Sequence, residues 1–148
     1  MNTPNPDVRW KQRFQNYQRA FNLLREALEA KDIGEYSALE QEGIVQRFEY
    51  TFELGWKTFK DYLEYSGVAL AEATPRKVIK ECAATGLFQE AGIDGDAYLE
   101  MMLSRNALSH VYDFNRFADV IAKVKDSYLR ELEKEHAFFT RREREEND

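Results

Sequence analysis

The chain has 148 residues, 43% hydrophobic and 32% charged; this ordinary globular composition argues for one domain large enough to bury a core without a disulfide or metal staple. Its single cysteine, Cys82, leaves no partner for an intramolecular disulfide, zinc ligand set or CxxC pair and favours a reducing cytoplasmic setting, while the net charge of −6 confines any RNA contact to a local patch. No GxGxxG or GxxxxGK occurs, which excludes Rossmann and P-loop chemistry; Met1–Asp7 lacks the order of a signal peptide, and no apolar run reaches the ~18 residues of a membrane span.

From Val8 to Ala30 the large apolar residues Trp10, Phe14, Tyr17, Phe21, Leu24 and Leu28 recur at alternating steps of four and three, one stripe on a helix. Ser37 and Glu40 form a Ser-x-x-Glu capping box. Behind it Ile44, Val45, Phe48, Phe52, Trp56, Phe59 and Leu63 predict a second helix of about 30 residues, roughly 45 Å long, stopping at Ser66-Gly67. Thr74-Pro75 reads as an N-cap with proline at the first helical position of a short connector ending at Gly86. Leu87 to Gly95 reads as loop, and Asp96 as the cap of a helix carrying Leu99, Met102, Leu103 and Ala107. A last helix starts near Asn115 and keeps its spacing through Phe117, Ile121, Val124, Tyr128, Leu132 and Phe139; the charged residues 141–148 read as a frayed end. No segment reads as a strand.

These elements predict an all-α fold: an antiparallel, up-and-down bundle of four main helices and one short connecting helix, filling residues 1–148 as a single domain. The second long helix also carries Tyr50, Leu54, Tyr62 and Tyr65 away from its main stripe. That is more apolar surface than one bundle seam needs, and a homodimer interface would explain it; the alternative is that the rings cover core edges of one subunit.

The polar run Arg105-Asn106-Ala107-Leu108-Ser109-His110-Val111-Tyr112-Asp113 gathers a fixed cation, an imidazole and a phenol between two apolar-periodic segments. On one continuous helix Arg105 and His110 would point about 140° apart, whereas Arg105 and Tyr112 would share a face. For Arg105 and His110 to meet one phosphate, the helix must break between them or a second subunit must contribute one of the pair. Given that, the arginine would neutralise a pentacovalent phosphorane while the histidine moves the proton of a ribose 2′-hydroxyl, which is metal-independent RNA cleavage. Taken alone, the spacing also fits a solvated arginine and a helix-capping histidine.

Arg105-Asn106-x3-His110 resembles the RNxxxH motif of the HEPN superfamily, all-helical dimers that include many RNases. The extension to Tyr112 is similar to the motif of HepT-type toxins, and Arg47-Phe48-Glu49-Tyr50-Thr51-Phe52-Glu53-Leu54-Gly55-Trp56-Lys57 looks like the second-helix signature of nucleotidyltransferase substrate-binding proteins. The resemblance covers nearly the whole chain. It implies a HEPN-like homodimer encoded beside a minimal nucleotidyltransferase, with Arg105 and His110 as a candidate RNase site needing no cofactor. It also implies that the partner adds AMP to Tyr112 and so silences the RNase, in a toxin–antitoxin-type pair. Asn106 would bind phosphate or orient Arg105, and Asp113 would orient His110 or cap the last helix. The older family name implies a rival: a noncatalytic subunit that binds a nucleotide or substrate and presents it to the transferase.

The remaining chemistry-bearing residues yield little. Asp94-Gly95-Asp96 lacks the Gly-Ser turn on a sheet that a nucleotidyltransferase needs, and reads as a turn and N-cap. His136 reads as a surface histidine near a fraying end, Cys82 as a small hydrophobe, and no metal site emerges.

Overall fold

The structure is a computed structural model that describes the backbone of residues 6–108 and 114–147 and the side chains of residues 8–108 and 116–147. Helix α1 runs Pro6–Ala30 and α2 Ala38–Tyr65, joined through a 3₁₀ turn at Ile33–Glu35. They lie antiparallel: Arg9 meets Glu64, Arg13 meets Asp61, and Lys31 meets Glu40, so residue numbers fall on one helix as they rise on the other. The predicted stripe explains the pairing, because Trp10, Phe14, Tyr17, Phe21, Leu24 and Leu28 are all buried, with at most 1% of their surface exposed. Helix α2 starts at the predicted capping box, Ser37 Oγ accepting from the Glu40 N–H at 3.1 Å and Glu40 Oε1 from the Ser37 N–H at 2.9 Å.

Helix α3 is Pro75–Ala84, with Thr74 as its cap as predicted, and buries Val78, Ile79 and Cys82. The segment read as loop contains a one-turn helix, α4, Leu87–Ala91. Gly86 and Gly92, both at positive φ, bracket it and turn Leu87 and Phe88 into the core. Helix α5 spans Gly95–Leu108, and its cap is Asp94 rather than Asp96: Asp94 Oδ1 accepts from the backbone N–H groups of Asp96 and Ala97.

Helix α6 covers Phe114–Lys123, and a π-helical turn at Val124–Tyr128 joins it to α7, Leu129–Asn147. Helix α7 runs antiparallel to α1, with Gln15 on Glu143 and the Tyr17 hydroxyl on the Leu132 carbonyl, and parallel to α2, with Tyr62 against Phe138 and Phe139. The all-α bundle is therefore as expected, and no strand occurs among the described residues.

The reading of the C-terminal end also needs correction. The charged end is not frayed through Asn147: it is helical, with Arg142 paired to Glu90, Lys11 to Glu146 at 3.3 Å, and the Tyr65 hydroxyl to Glu146 at 2.8 Å. Alternating charges that looked merely solvated are matched to partners on α1, α2 and α4. Of the two readings of the extra apolar residues on α2, cover of core edges describes Tyr62, buried edge-on against Trp10 at 5.1 Å, and Tyr65, which packs on both rings. Of the four extra apolar residues on α2, only Tyr50, 56% exposed, and the half-buried Leu54 remain outside, where they line a cavity of about 230 Å³ with Leu23.

Candidate functional site

The site is built on the middle of α2, where helical spacing sorts the segment from Arg47 to Lys57 by face. Phe48 and Phe52 point into the core with no exposed surface. Arg47 turns the other way, its Nη1 donating to the Leu23 carbonyl at 3.0 Å. Glu49, Glu53 and Lys57 stand on successive turns with Trp56 beside Lys57, and on this edge Glu53 meets α5.

Arg105 comes to this edge from the last turn of α5. Its Nη2 donates to Glu53 Oε2 at 2.6 Å, its guanidinium carbon stands 5.8 Å from the centre of the Phe52 ring, and its Nη1 donates to the Asn106 amide oxygen at 3.3 Å. Glu53 also accepts from Trp56 Nε1 and from Lys57 Nζ, both at 3.1 Å. Burial alone would raise the Glu53 carboxyl, but these hydrogen bonds and the charges of Arg105 and Lys57 outweigh it and hold its pKa below the usual carboxylate value. Glu49, one turn earlier and half-buried, is shifted the other way, raised by burial and only partly offset by Arg105.

The consequence is a guanidinium held by Glu53 and Asn106 with N–H donors to spare. Arginine carries five N–H donors in a planar fork. One is spent on Glu53 and one on Asn106, and a quarter of the Arg105 side chain remains exposed. Such a group can offer N–H donors to an anion without first being ordered.

Beside it, α5 and α6 enclose a cavity of about 210 Å³ lined by Ser104, Ala107, Leu108, Arg116, Asp119, Val120 and Lys123. Its lining combines three apolar side chains and a serine with two cations and one carboxylate. Lys123 is engaged only loosely, 3.7 Å from Glu100. Of the residues singled out from the sequence, Arg105 and Asn106 meet each other here, whereas His110, Tyr112 and Asp113 lie outside the described residues. Glu53, Trp56 and Lys57 lie within the α2 signature, which by itself assigns them no role. Their i, i+3 and i, i+4 spacing was the available signal, yet only α5 supplies the cation that makes it meaningful.

Behind the site the bundle holds a buried polar cluster. Glu135 of α7 is buried; one carboxyl oxygen accepts from the Tyr98 hydroxyl at 2.7 Å and the other has no hydrogen-bond partner. Burial pushes its pKa up to about 8, with the Tyr98 hydrogen bond pulling the other way. The neighbouring His136 is not the surface histidine expected from its charged surroundings. It stacks on Phe21 at 5.2 Å and lies 5.7 Å from Phe14, with a buried Nε2, and burial followed by the charge of Arg25 lowers its pKa. Cys82 is buried, and its thiol is raised mainly by that burial, which makes it unreactive.

Among the described residues no three His, Cys, Asp or Glu side chains gather as a metal-binding group, and no helix is long and apolar enough to cross a membrane. A family model described as nucleotidyltransferase substrate binding protein like matches residues 12–140, from the first turns of α1 well into α7. Among curated proteins none matches the chain.

Proposed function

Because the chain belongs to the nucleotidyltransferase substrate binding protein like family, we propose that it acts as the helical partner of a minimal nucleotidyltransferase and is itself a metal-independent endoribonuclease regulated by that partner. The observation that carries the reading is Arg105, held on α2 by Glu53 and Phe52 with part of its guanidinium open. In this reading His110 takes the proton of a ribose 2′-hydroxyl as its oxygen attacks the adjacent phosphorus. Arg105 meets the charge that builds on the equatorial oxygens, and a second imidazole returns a proton to the departing 5′-oxygen. The products are a 2′,3′-cyclic phosphate and a 5′-hydroxyl, with no cofactor consumed. A homodimer supplies the second His110, and Asp113 orients the imidazole or caps α6. Transfer of AMP to Tyr112 would bring phosphate charge and bulk within two residues of His110 and block the site. The setting is a toxin–antitoxin-type pair in the cytoplasm.

The test is incubation of the purified protein with labelled RNA in EDTA beside His110→Ala. The expected result is fragments ending in cyclic phosphate, lost in the folded variant. A second reading draws on the charge around the site: Glu49 and Glu53 flank Arg105, and the chain carries −6 overall, a poor rim for a polyanion. In it the protein is a noncatalytic subunit that binds a nucleotide at Arg105 and the cavity between α5 and α6, and presents it to the transferase. Folded, unmodified protein that cleaves no RNA would establish this second reading over the first.

A further inference from the structure

We propose that Glu53 is the positioning residue for Arg105, and that fixing this guanidinium is what the α2 segment from Glu53 to Lys57 contributes to the site; the proposal rests on Arg105 being the anion-binding cation. An incidental ion pair between two exposed side chains would have one contact and alternative partners. This one is built from both sides. The Glu53 carboxylate is itself pinned by Trp56 Nε1 and Lys57 Nζ, so it presents a fixed oxygen to Arg105 at 2.6 Å. Phe52 supplies a flat surface 5.8 Å from the guanidinium carbon. Trp56 is 6% exposed, so the indole that donates to the carboxylate is itself held by the core.

The arrangement also selects between two carboxylates. Glu49 stands one helical turn from Glu53, near enough for the charge of Arg105 to act on it, yet the short contact goes to Glu53. Glu49 lacks the indole and ammonium donors that hold Glu53 still. Without the Glu53 carboxylate, Arg105 would swing towards Glu49 or fold onto the last carbonyls of α5, and its open N–H groups would leave the place where a phosphate meets them. A displacement of about 1 Å in a charge-stabilising group costs on the order of 100-fold in rate.

The experiment compares Glu53→Gln, Glu49→Gln and Arg105→Ala, all checked for folding by circular dichroism, in cleavage of a short RNA and in the ¹⁵N spectrum of the Arg105 side chain. Both glutamine variants remove one negative charge near Arg105, but only one touches its position. Glu53→Gln is expected to lower kcat by 10- to 100-fold with KM within about threefold, and to turn a slowly rotating Arg105 guanidinium into a freely averaging one. Glu49→Gln is expected to leave the Arg105 signal slowly rotating, so that a change in cleavage shared by both variants belongs to the lost charge and one confined to Glu53→Gln belongs to position. A Glu53→Gln protein with wild-type kcat and an unchanged Arg105 signal, beside an inactive Arg105→Ala, would overturn the positioning role while leaving the RNase reading intact. If the wild type cleaves no RNA, the RNase reading falls. The positioning role is then judged on AMP binding and the Arg105 signal, with tenfold weaker binding in Glu53→Gln supporting it and equal binding overturning it.

Discussion

Gly55 on α2 and Glu135 on α7 approach so closely that a β-carbon at residue 55 would stand 3.0 Å from Glu135 Oε1, and 2.9 Å from the Tyr98 hydroxyl that donates to the same carboxyl. Glycine in mid-helix is ordinarily a weakness of about 1 kcal/mol relative to alanine. Here that rule reverses, because the missing side chain is what lets two helices close over a buried hydrogen bond. Gly55→Ala is expected to destabilise the fold by about 1–3 kcal/mol, as overpacked cores do. A urea denaturation series reads this directly; an alanine variant as stable as the wild type would show that the cluster has room to spare.

Glu135 makes stability depend on pH. Its folded-state pKa of about 8 lies above the ordinary 4.5, so between those values the folded chain keeps a proton that the unfolded chain has released. Stability therefore falls as pH rises through that window, by up to about 1.4 kcal/mol per pH unit, and this contribution is flat below and above it. Tyr17 and Tyr98, both raised well above 10 first by burial, stay protonated throughout. Glu135→Gln is expected to flatten the decline between pH 5 and 8, measured as melting temperature against pH. An equally steep decline in the variant would assign the slope to another group.

The α2 cap carries a plainer expectation. Ser37→Ala removes the oxygen that accepts the Glu40 N–H and dissolves the reciprocal box. A loss of about 0.5–2 kcal/mol follows from caps of this kind, visible as a lower urea midpoint with no change in slope.

For the proposed regulation, the side chain to test is Tyr112. Tyr112→Phe is expected to leave RNA cleavage by the protein alone within about twofold, since the ring is retained and only the acceptor oxygen is lost. Co-incubation with the partner transferase and ATP should silence the wild type, adding one AMP by intact mass, and leave Tyr112→Phe active and unmodified. Silencing that persists in the variant would remove Tyr112 as the acceptor.

How much of this was legible in the sequence depended on the range of the interaction. Elements announced by long periodicity or by local capping, such as the stripe from Trp10 to Leu28 and the Ser37–Glu40 box, appear as read, because their causes lie within a few residues. Helix α4 was invisible because five residues make too little of a helix to show a period. The placing of His136 and of the charged end of α7 is hidden in the sequence for the opposite reason. Their neighbours in sequence are polar, while their neighbours in space, Phe21 for the imidazole and Lys11 and Tyr65 for Glu146, come from over 80 residues away. The site divides the same way: Arg105 stood out by its motif, but Glu53 acquires meaning only when α5 is laid across α2.

The π-helical turn at Val124–Tyr128 gives the long C-terminal helical run a place where its length is negotiable. A π turn holds one more residue than the α turn it replaces, and its buried ends, Val124 and Tyr128, are separated by the exposed Asp126. Deleting Asp126 would convert the bulge to ordinary α-helix while leaving Ile121 on one side and Leu132 on the other still facing the core. Relatives one residue shorter here would share the fold unchanged, and an alignment that spreads the gap along α6 or α7 would misplace the buried faces of both.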